Sequence, residues 1–119
     1  MATSRDEQTA PISSQVFHIL LSLADRPRHG YGILIEVQDR TGGRVTLGTG
    51  TVYSVIKRVR SQGWIEESSP PGAADDDPRR RYYRLTGEGR RVVQAEAERL
   101  HALVLQARAK SVLPEATAR

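Results

Sequence analysis

Residues 50–59 read GTVYSVIKRV. At about 100° per residue, an α-helix built from this stretch separates its side chains into an apolar side and a polar side. The apolar side holds Val52, Val55, Ile56 and Val59, and the polar side holds Gly50, Ser54, Lys57 and, further on, Ser61. Small and hydrogen-bonding residues near the N-terminal end, followed by Lys57 and Arg58, suit a helix that enters a DNA major groove closely. The same pattern is also typical of an ordinary amphipathic surface helix, so the neighbouring segments must decide.

Two more helices are predicted before this stretch. Apolar residues recur at helical spacing over residues 12–23, and Pro27 follows, where the residue before a proline avoids helical angles. A second helix is predicted over about residues 31–40, ended by two glycines, with a short extended piece at 44–47 after it. The helix of the opening stretch comes third and is capped by Gly63 in the left-handed conformation. The predicted order is therefore helix, turn, helix.

A β-hairpin is predicted after the third helix. Its strands are residues 64–67 and 81–85, and a loop rich in Ser, Pro, Gly and Asp, residues 68–80, joins them. Three consecutive arginines, residues 79–81, stand at the base of the return strand. Such a basic arm beside a reading helix suits phosphates or a minor groove, while a solvated strand end is the alternative. Phosphates would repel Asp75, Asp76 and Asp77, so we expect a solvated tip that points away from DNA.

The last helix, predicted over about residues 88–112 with Thr86 as its N-cap, carries an apolar row. The row consists of Val93, Ala97, Leu100, Val104 and Ala107. Their spacings of four, three, four and three residues match the 3.5-residue repeat along the seam of paired helices. A core this small cannot cover so long a helix, so we expect a homodimer, with folding back onto its own domain as the alternative. The predicted dimer interface consists of Val93, Ala97, Leu100, Leu103, Val104 and Ala107, and Leu105 widens the stripe.

In this order and at these separations, four stretches resemble the PadR family of transcriptional regulators. They are HGYG at 29–32, GTVY at 50–53 leading to KRV at 57–59, GWIE at 63–66, and RRYYRLT at 80–86 with Gly89 after it. The resemblance covers about residues 12–91. It implies a winged helix-turn-helix fold, a homodimer formed largely by the C-terminal helix, and repression of neighbouring genes relieved by a small effector. It also implies that Tyr31, Thr51, Tyr53 and Lys57 face DNA and that residues 68–80 form the wing.

The predicted fold class is mainly α with a small β-hairpin: a winged helix-turn-helix plus a long C-terminal helix. Residues 1–11 are expected to be a flexible tail, 12–86 the DNA-binding domain, and 87–119 the dimerisation helix and a tail. A dimer would place two reading helices about one DNA turn apart, which predicts double-stranded DNA with a dyad-symmetric operator as partner. The predicted DNA-binding residues are Tyr31, Thr49, Gly50, Thr51, Tyr53, Ser54, Lys57, Arg58, Arg79, Arg80, Arg81 and Tyr82.

Composition narrows the function classes. A chain of 119 residues has room for one core, and its net charge of +4 suits an anionic partner. Without cysteine there is no disulfide, thiolate metal site or cysteine nucleophile, and neither a metal pattern nor a catalytic constellation stands out, so we expect no cofactor and no enzymatic activity. No apolar run reaches a membrane span and no signal peptide is visible, so a cytoplasmic location without a membrane partner is expected. The alternative function is a winged helix that binds another protein instead of specific DNA.

Overall fold

The computed structural model describes residues 10–71, 77 and 79–114 of the chain. Within these residues the chain forms four helices and three short strands. In chain order they are α1 (Ser14–Ser22), β1 (Arg28–His29), α2 (Gly30–Arg40), α3 (Thr49–Ser61), β2 (Ile65–Ser68), β3 (Tyr82–Leu85) and α4 (Gly87–Ala109). The predicted fold class is confirmed: a mainly helical protein with a small sheet and a long C-terminal helix.

The core lies where α1, α2 and α3 meet. The four predicted apolar residues of α3 are all buried, namely Val52, Val55, Ile56 and Val59. Ile19 and Leu20 of α1 and Ile33 and Val37 of α2 meet them with no accessible surface. Burying one such aliphatic side chain contributes roughly 1.5–3 kcal/mol. Because the apolar side of α3 packs into the core, its polar side faces solvent.

The sheet has three antiparallel strands in the order β1-β3-β2, one more than the predicted hairpin. The extra strand, Arg28–His29, pairs with Tyr83 and Tyr82 of β3. Two residues carry no alternating pattern, so this strand exists only because the folded chain brings it beside β3. The strand β2 begins one residue later than predicted, and the predicted extended piece at 44–47 belongs to no strand.

The helix ends follow local signals. The backbone of Gly63 is left-handed (φ 82°), and the N–H of Trp64 reaches back to the carbonyl of Val59 at 3.0 Å, which confirms the predicted cap of α3. The Thr86 hydroxyl accepts from the N–H of Gly89 at 3.0 Å, which confirms the predicted N-cap of α4. The helix α4 ends at Ala109 because Ser111 adopts a left-handed conformation, three residues before the predicted end at residue 112.

The start of α4 is pressed against the start of β2. The Thr86 hydroxyl donates to the Gly63 carbonyl at 2.6 Å, and the Thr86 N–H donates to the Trp64 carbonyl at 3.0 Å. A Cβ atom on Gly89 would lie only 1.9 Å from that Trp64 carbonyl oxygen. Glycine at position 89 is thus a packing requirement, and it fixes where α4 leaves the domain. None of the described helices has the length and apolar character to cross a bilayer.

Candidate nucleic-acid interface

The outward side of α3 presents the predicted reading residues to solvent. Thr49, Gly50, Ser54, Lys57 and Arg58 are exposed, and Thr51 is partly buried. The N-cap of α3 is Gly48, and no described side chain caps this end by a hydrogen bond. The first backbone N–H groups of α3 therefore remain available, and together with the helix dipole they favour an anion such as a phosphate.

Two tyrosines lie on the segments where the start of α2 meets α3. The ring of Tyr53 on α3 packs against Gly30, where an added Cβ would lie 2.6 Å from the ring. Tyr31, the next residue along α2, is exposed, as is Tyr53. Glycine at position 30 thus leaves room for the Tyr53 ring against the start of α2. A phenol group in such a position can hydrogen-bond a backbone phosphate while its ring packs on the scaffold.

Arg79, Arg80 and Arg81 form the wing root, and these arginines and the nearby Arg84 are paired with carboxylates. Glu66 accepts from Arg84 at 2.8 Å across the strand pair. Asp77 accepts from both the backbone N–H of Arg79 at 2.9 Å and its side chain at 3.2 Å, and it lies 3.9 Å from the Arg80 guanidinium. Asp75 and Asp76 lie outside the described residues. The carboxylate of Asp77 is thus paired with neighbouring arginines of its own chain, and a tip that points away from DNA stays a prediction.

A single carboxylate also connects the wing to α3. Glu67 on β2 lies 3.2 Å from Arg60 in the last turn of α3 and 3.0 Å from Arg81 just before β3. Neither Arg60 nor Glu67 was among the predicted site residues. Their meeting depends on how the sheet folds over the end of α3, and no spacing in the sequence signals it.

His29 links the wing to the start of α2. Its Nδ1 atom accepts from the N–H of Gly32 at 3.0 Å, which makes it the N-cap of α2, and its Nε2 atom lies 2.9 Å from the Arg80 guanidinium. The ring also meets the ring of Tyr82 edge-on, with centroids 5.1 Å apart. Tyr82 is buried by these contacts. Of the predicted DNA-binding set, Tyr82 therefore offers little surface of its own to a ligand.

The helix α4 begins inside the domain and ends outside it. Val93 belongs to the core of its own chain, so this member of the predicted dimer row is already covered. Further along, Leu100, Leu103 and Leu105 are exposed by 37%, 45% and 50%. Ala97 is also exposed, and Val104 and Ala107 are partly buried. The first turns of α4 thus fold back onto their own domain, which was the alternative to dimerisation. The later turns leave an apolar stripe exposed to solvent.

An ion pair with a buried carboxylate marks the transition between these two parts of α4. Glu96 is buried and binds Arg99 one turn further on, with Arg99 Nε 3.0 Å from Glu96 Oε1. This hydrogen bond, together with one from the backbone of Ile12, lowers the pKa of Glu96 below its usual value although burial opposes the shift. Glu96 thereby ties α4 to the start of the described chain.

A helix-turn-helix followed by an arginine-bearing wing defines a winged helix-turn-helix protein. Residues 19–95 match the sequence profile described as the "Transcriptional regulator PadR-like family". The match spans more than half of the chain, and the chain belongs to this family. No curated protein sequence matches it significantly.

Solved structures with the same fold include several family members. A PadR family transcription regulator from Clostridium difficile R20291 is 24% identical, with a TM-score of 0.67 over 82% of this chain and 97% of that one. A PadR family regulator from Eggerthella lenta DSM 2243 is 23% identical, with a TM-score of 0.61 over 96% and 92%. Bacillus subtilis PadR in complex with operator DNA is 19% identical, with a TM-score of 0.58 over 71% and 46%, so this chain spans less than half of that one.

Proposed function

We propose that this chain is a sequence-specific, double-stranded DNA-binding repressor that acts as a homodimer and responds to a small ligand. The observation that supports DNA binding most strongly is the surface formed by α3 and the wing root. It combines an uncapped helix start, two exposed tyrosines and Lys57 with the wing arginines. In this proposal α3 contacts base edges in the major groove, and Arg79, Arg80 and Arg81 contact the flanking backbone.

The homodimer is supported by the exposed leucines of α4. Apolar surface gains roughly 25 cal/mol for each Å² removed from water, and three leucines on one helix are a large exposed group for a small chain. We propose a dimer interface of Ala97, Leu100, Leu103, Val104 and Ala107. In the same proposal residues 12–86 form the DNA-binding unit and residues 87–119 the dimerisation segment. Such a dimer would bind a dyad-symmetric operator with half-sites about 10 bp apart, or a multiple of this.

The DNA-binding proposal is tested by salt titration. The protein first selects a duplex from a random pool, and fluorescence anisotropy then gives the affinity for that duplex over a range of salt concentrations. Replacing Lys57 by Ala, or all three arginines at 79–81 by Ala, should weaken binding and flatten the salt dependence, by about 0.9 in the log–log slope for each phosphate that is no longer neutralised. Lys110→Ala, which removes one charge at the far end of α4, is the matched control and should bind like the wild type.

The outcomes separate the two candidate functions. Salt-sensitive binding that the interface variants weaken supports the regulator. Absence of salt-sensitive binding to any duplex would favour a winged helix that binds another protein. The ligand response and repression rest on the resemblance to the family. Release of the selected duplex when small molecules are added, followed in the same assay, tests the ligand response. The function proposed is not enzymatic and belongs to the cytoplasm, where such a regulator meets its operator.

A further inference from the structure

The carboxylate of Glu67 occupies an unusual position for an acidic group beside a surface proposed to bind DNA. One of its oxygens, Oε2, lies 3.2 Å from Arg60 Nη2 and 3.0 Å from Arg81 Nη1. Arg60 belongs to the last turn of α3, and Arg81 directly precedes β3. A single oxygen therefore fixes the distance between an arginine of the helix and an arginine of the wing.

This cluster is accessible to a ligand. The side chains of Arg60, Glu67 and Arg81 are exposed by 50%, 38% and 68%. A guanidinium has five N–H donors in a fixed fork, so an arginine bound to Glu67 keeps donors free for a phosphate oxygen. Exposed ion pairs contribute little to folding, so the fold does not depend on this one. The contact instead determines where the two guanidinium groups are held and how much net charge they present.

We infer that Glu67 is a specificity-determining residue of the DNA interface, an inference that rests on the proposed function. Binding to unselected DNA depends on how many positive charges approach the phosphates and carries no sequence information. Two arginines sharing one carboxylate present a net charge of +1 instead of +2, which weakens binding to unselected DNA. The same carboxylate holds both arginines in one geometry, which favours a duplex whose phosphates match that geometry. Glu67 thus widens the ratio between specific and non-specific affinity.

The neighbouring residue supplies a matched control. Glu66 carries the same charge, lies on the same strand and pairs with Arg84, its cross-strand partner. Successive side chains of a strand point to opposite faces of the sheet. Glu66→Gln therefore removes an equal charge from the other face of the wing without touching the contacts of Glu67 with Arg60 and Arg81.

The experiment measures the affinity of wild type, Glu67→Gln and Glu66→Gln for a selected duplex and for an unselected duplex of the same length. Glu67→Gln should raise the affinity for unselected DNA about fivefold at about 0.15 M salt, because one more positive charge is available. The affinity for the selected duplex should not rise, because the gain in charge is offset by the loss of arginine placement. The specificity ratio therefore falls about fivefold, whereas Glu66→Gln leaves the ratio unchanged.

A second variant separates charge from position. Glu67→Asp keeps the charge but shortens the side chain by one methylene, so the carboxylate can no longer reach both arginines. We expect weaker binding to the selected duplex with unchanged binding to unselected DNA. The inference is overturned if Glu67→Gln and Glu66→Gln leave the same specificity ratio, or if Glu67→Asp behaves like wild type. If the wild type binds no duplex in a salt-sensitive way, the proposed function itself fails, which is a distinct result.

Discussion

Replacing Gly89 by Ala is predicted to destabilise the protein, although alanine is the better helix former. The new Cβ would lie 1.9 Å from the Trp64 carbonyl oxygen and 2.8 Å from its carbonyl carbon. Both are backbone atoms, so no side-chain rotation can relieve the overlap. The first turn of α4 must therefore move away from the start of β2, and the hydrogen bond from the Thr86 N–H to the same carbonyl is weakened.

The magnitude follows from three contributions. Forcing an extra carbon into a packed contact costs about 1–3 kcal/mol. Loss of the hydrogen bond between Thr86 and Trp64 adds about 1 kcal/mol. The higher helix propensity of alanine returns about 1 kcal/mol. The free energy of unfolding of Gly89→Ala should thus fall by about 1–3 kcal/mol.

The same helix turn contains the matched control. An added Cβ on Gly87 would have the flexible end of Arg91 as its nearest neighbour, at 4.0 Å. Gly87→Ala should therefore be neutral or stabilising by up to about 1 kcal/mol. Urea unfolding of both variants at one fixed protomer concentration gives the comparison. An unfolding midpoint for Gly89→Ala equal to or above that of Gly87→Ala would refute the close packing of α4 on β2.

Three further predictions concern the dimer, pH and a helix cap. Leu103→Glu places a charge in the proposed dimer face and should shift the protein towards monomer in light scattering; an unchanged mass would contradict that interface. Burial and, to a smaller extent, the charge of Arg40 lower the pKa of His18 below its ordinary 6.5. The unfolded chain therefore binds a proton at His18 at a higher pH than the folded chain does, and the free energy of unfolding falls as the pH drops below about 6.5. His18→Gln should flatten that part of the stability profile, and an unaltered profile would refute the assignment. Ser13→Ala removes the hydroxyl that caps α1 through Val16 and should lower the unfolding free energy by about 1 kcal/mol in urea titration; no loss would argue against the cap.

The features that could be predicted from the sequence are those set by local rules. The period of α3 assigns Val52, Val55, Ile56 and Val59 to the interior, since any helix with this order has one apolar side. The cap at Gly63 follows from its tolerance of a left-handed backbone, and the cap at Thr86 from a hydroxyl placed before a helix. These signals involve residues only a few positions apart.

The features that were missed depend on contacts between distant segments. The two-residue strand Arg28–His29 forms because β3 lies beside it, and His29 meets Arg80 fifty-one positions along the chain. Val93 fits the seam of a helix pair equally well, but the start of α4 packs onto the core, so its own chain covers it. Helical spacing alone gives the face of a residue and not which molecule covers that face.

Asp77 and Glu67 illustrate the same limit for charge. In the sequence, an acidic residue in a basic wing suggests repulsion from phosphates. In the structure each carboxylate has arginine partners, so it changes the net charge and orientation of those arginines. The electrostatic character of the proposed interface is therefore a property of clusters, which only the folded chain defines.

In the proposed function, two copies of this chain read a duplex through α3 and the wing. Hydroxyl-radical footprinting of the full chain on a duplex selected from a random pool tests it most directly. We expect two protected regions on one side of the duplex, related by a dyad and about 10 bp apart or a multiple of this. A single asymmetric protected region, or no protection at all, would contradict it.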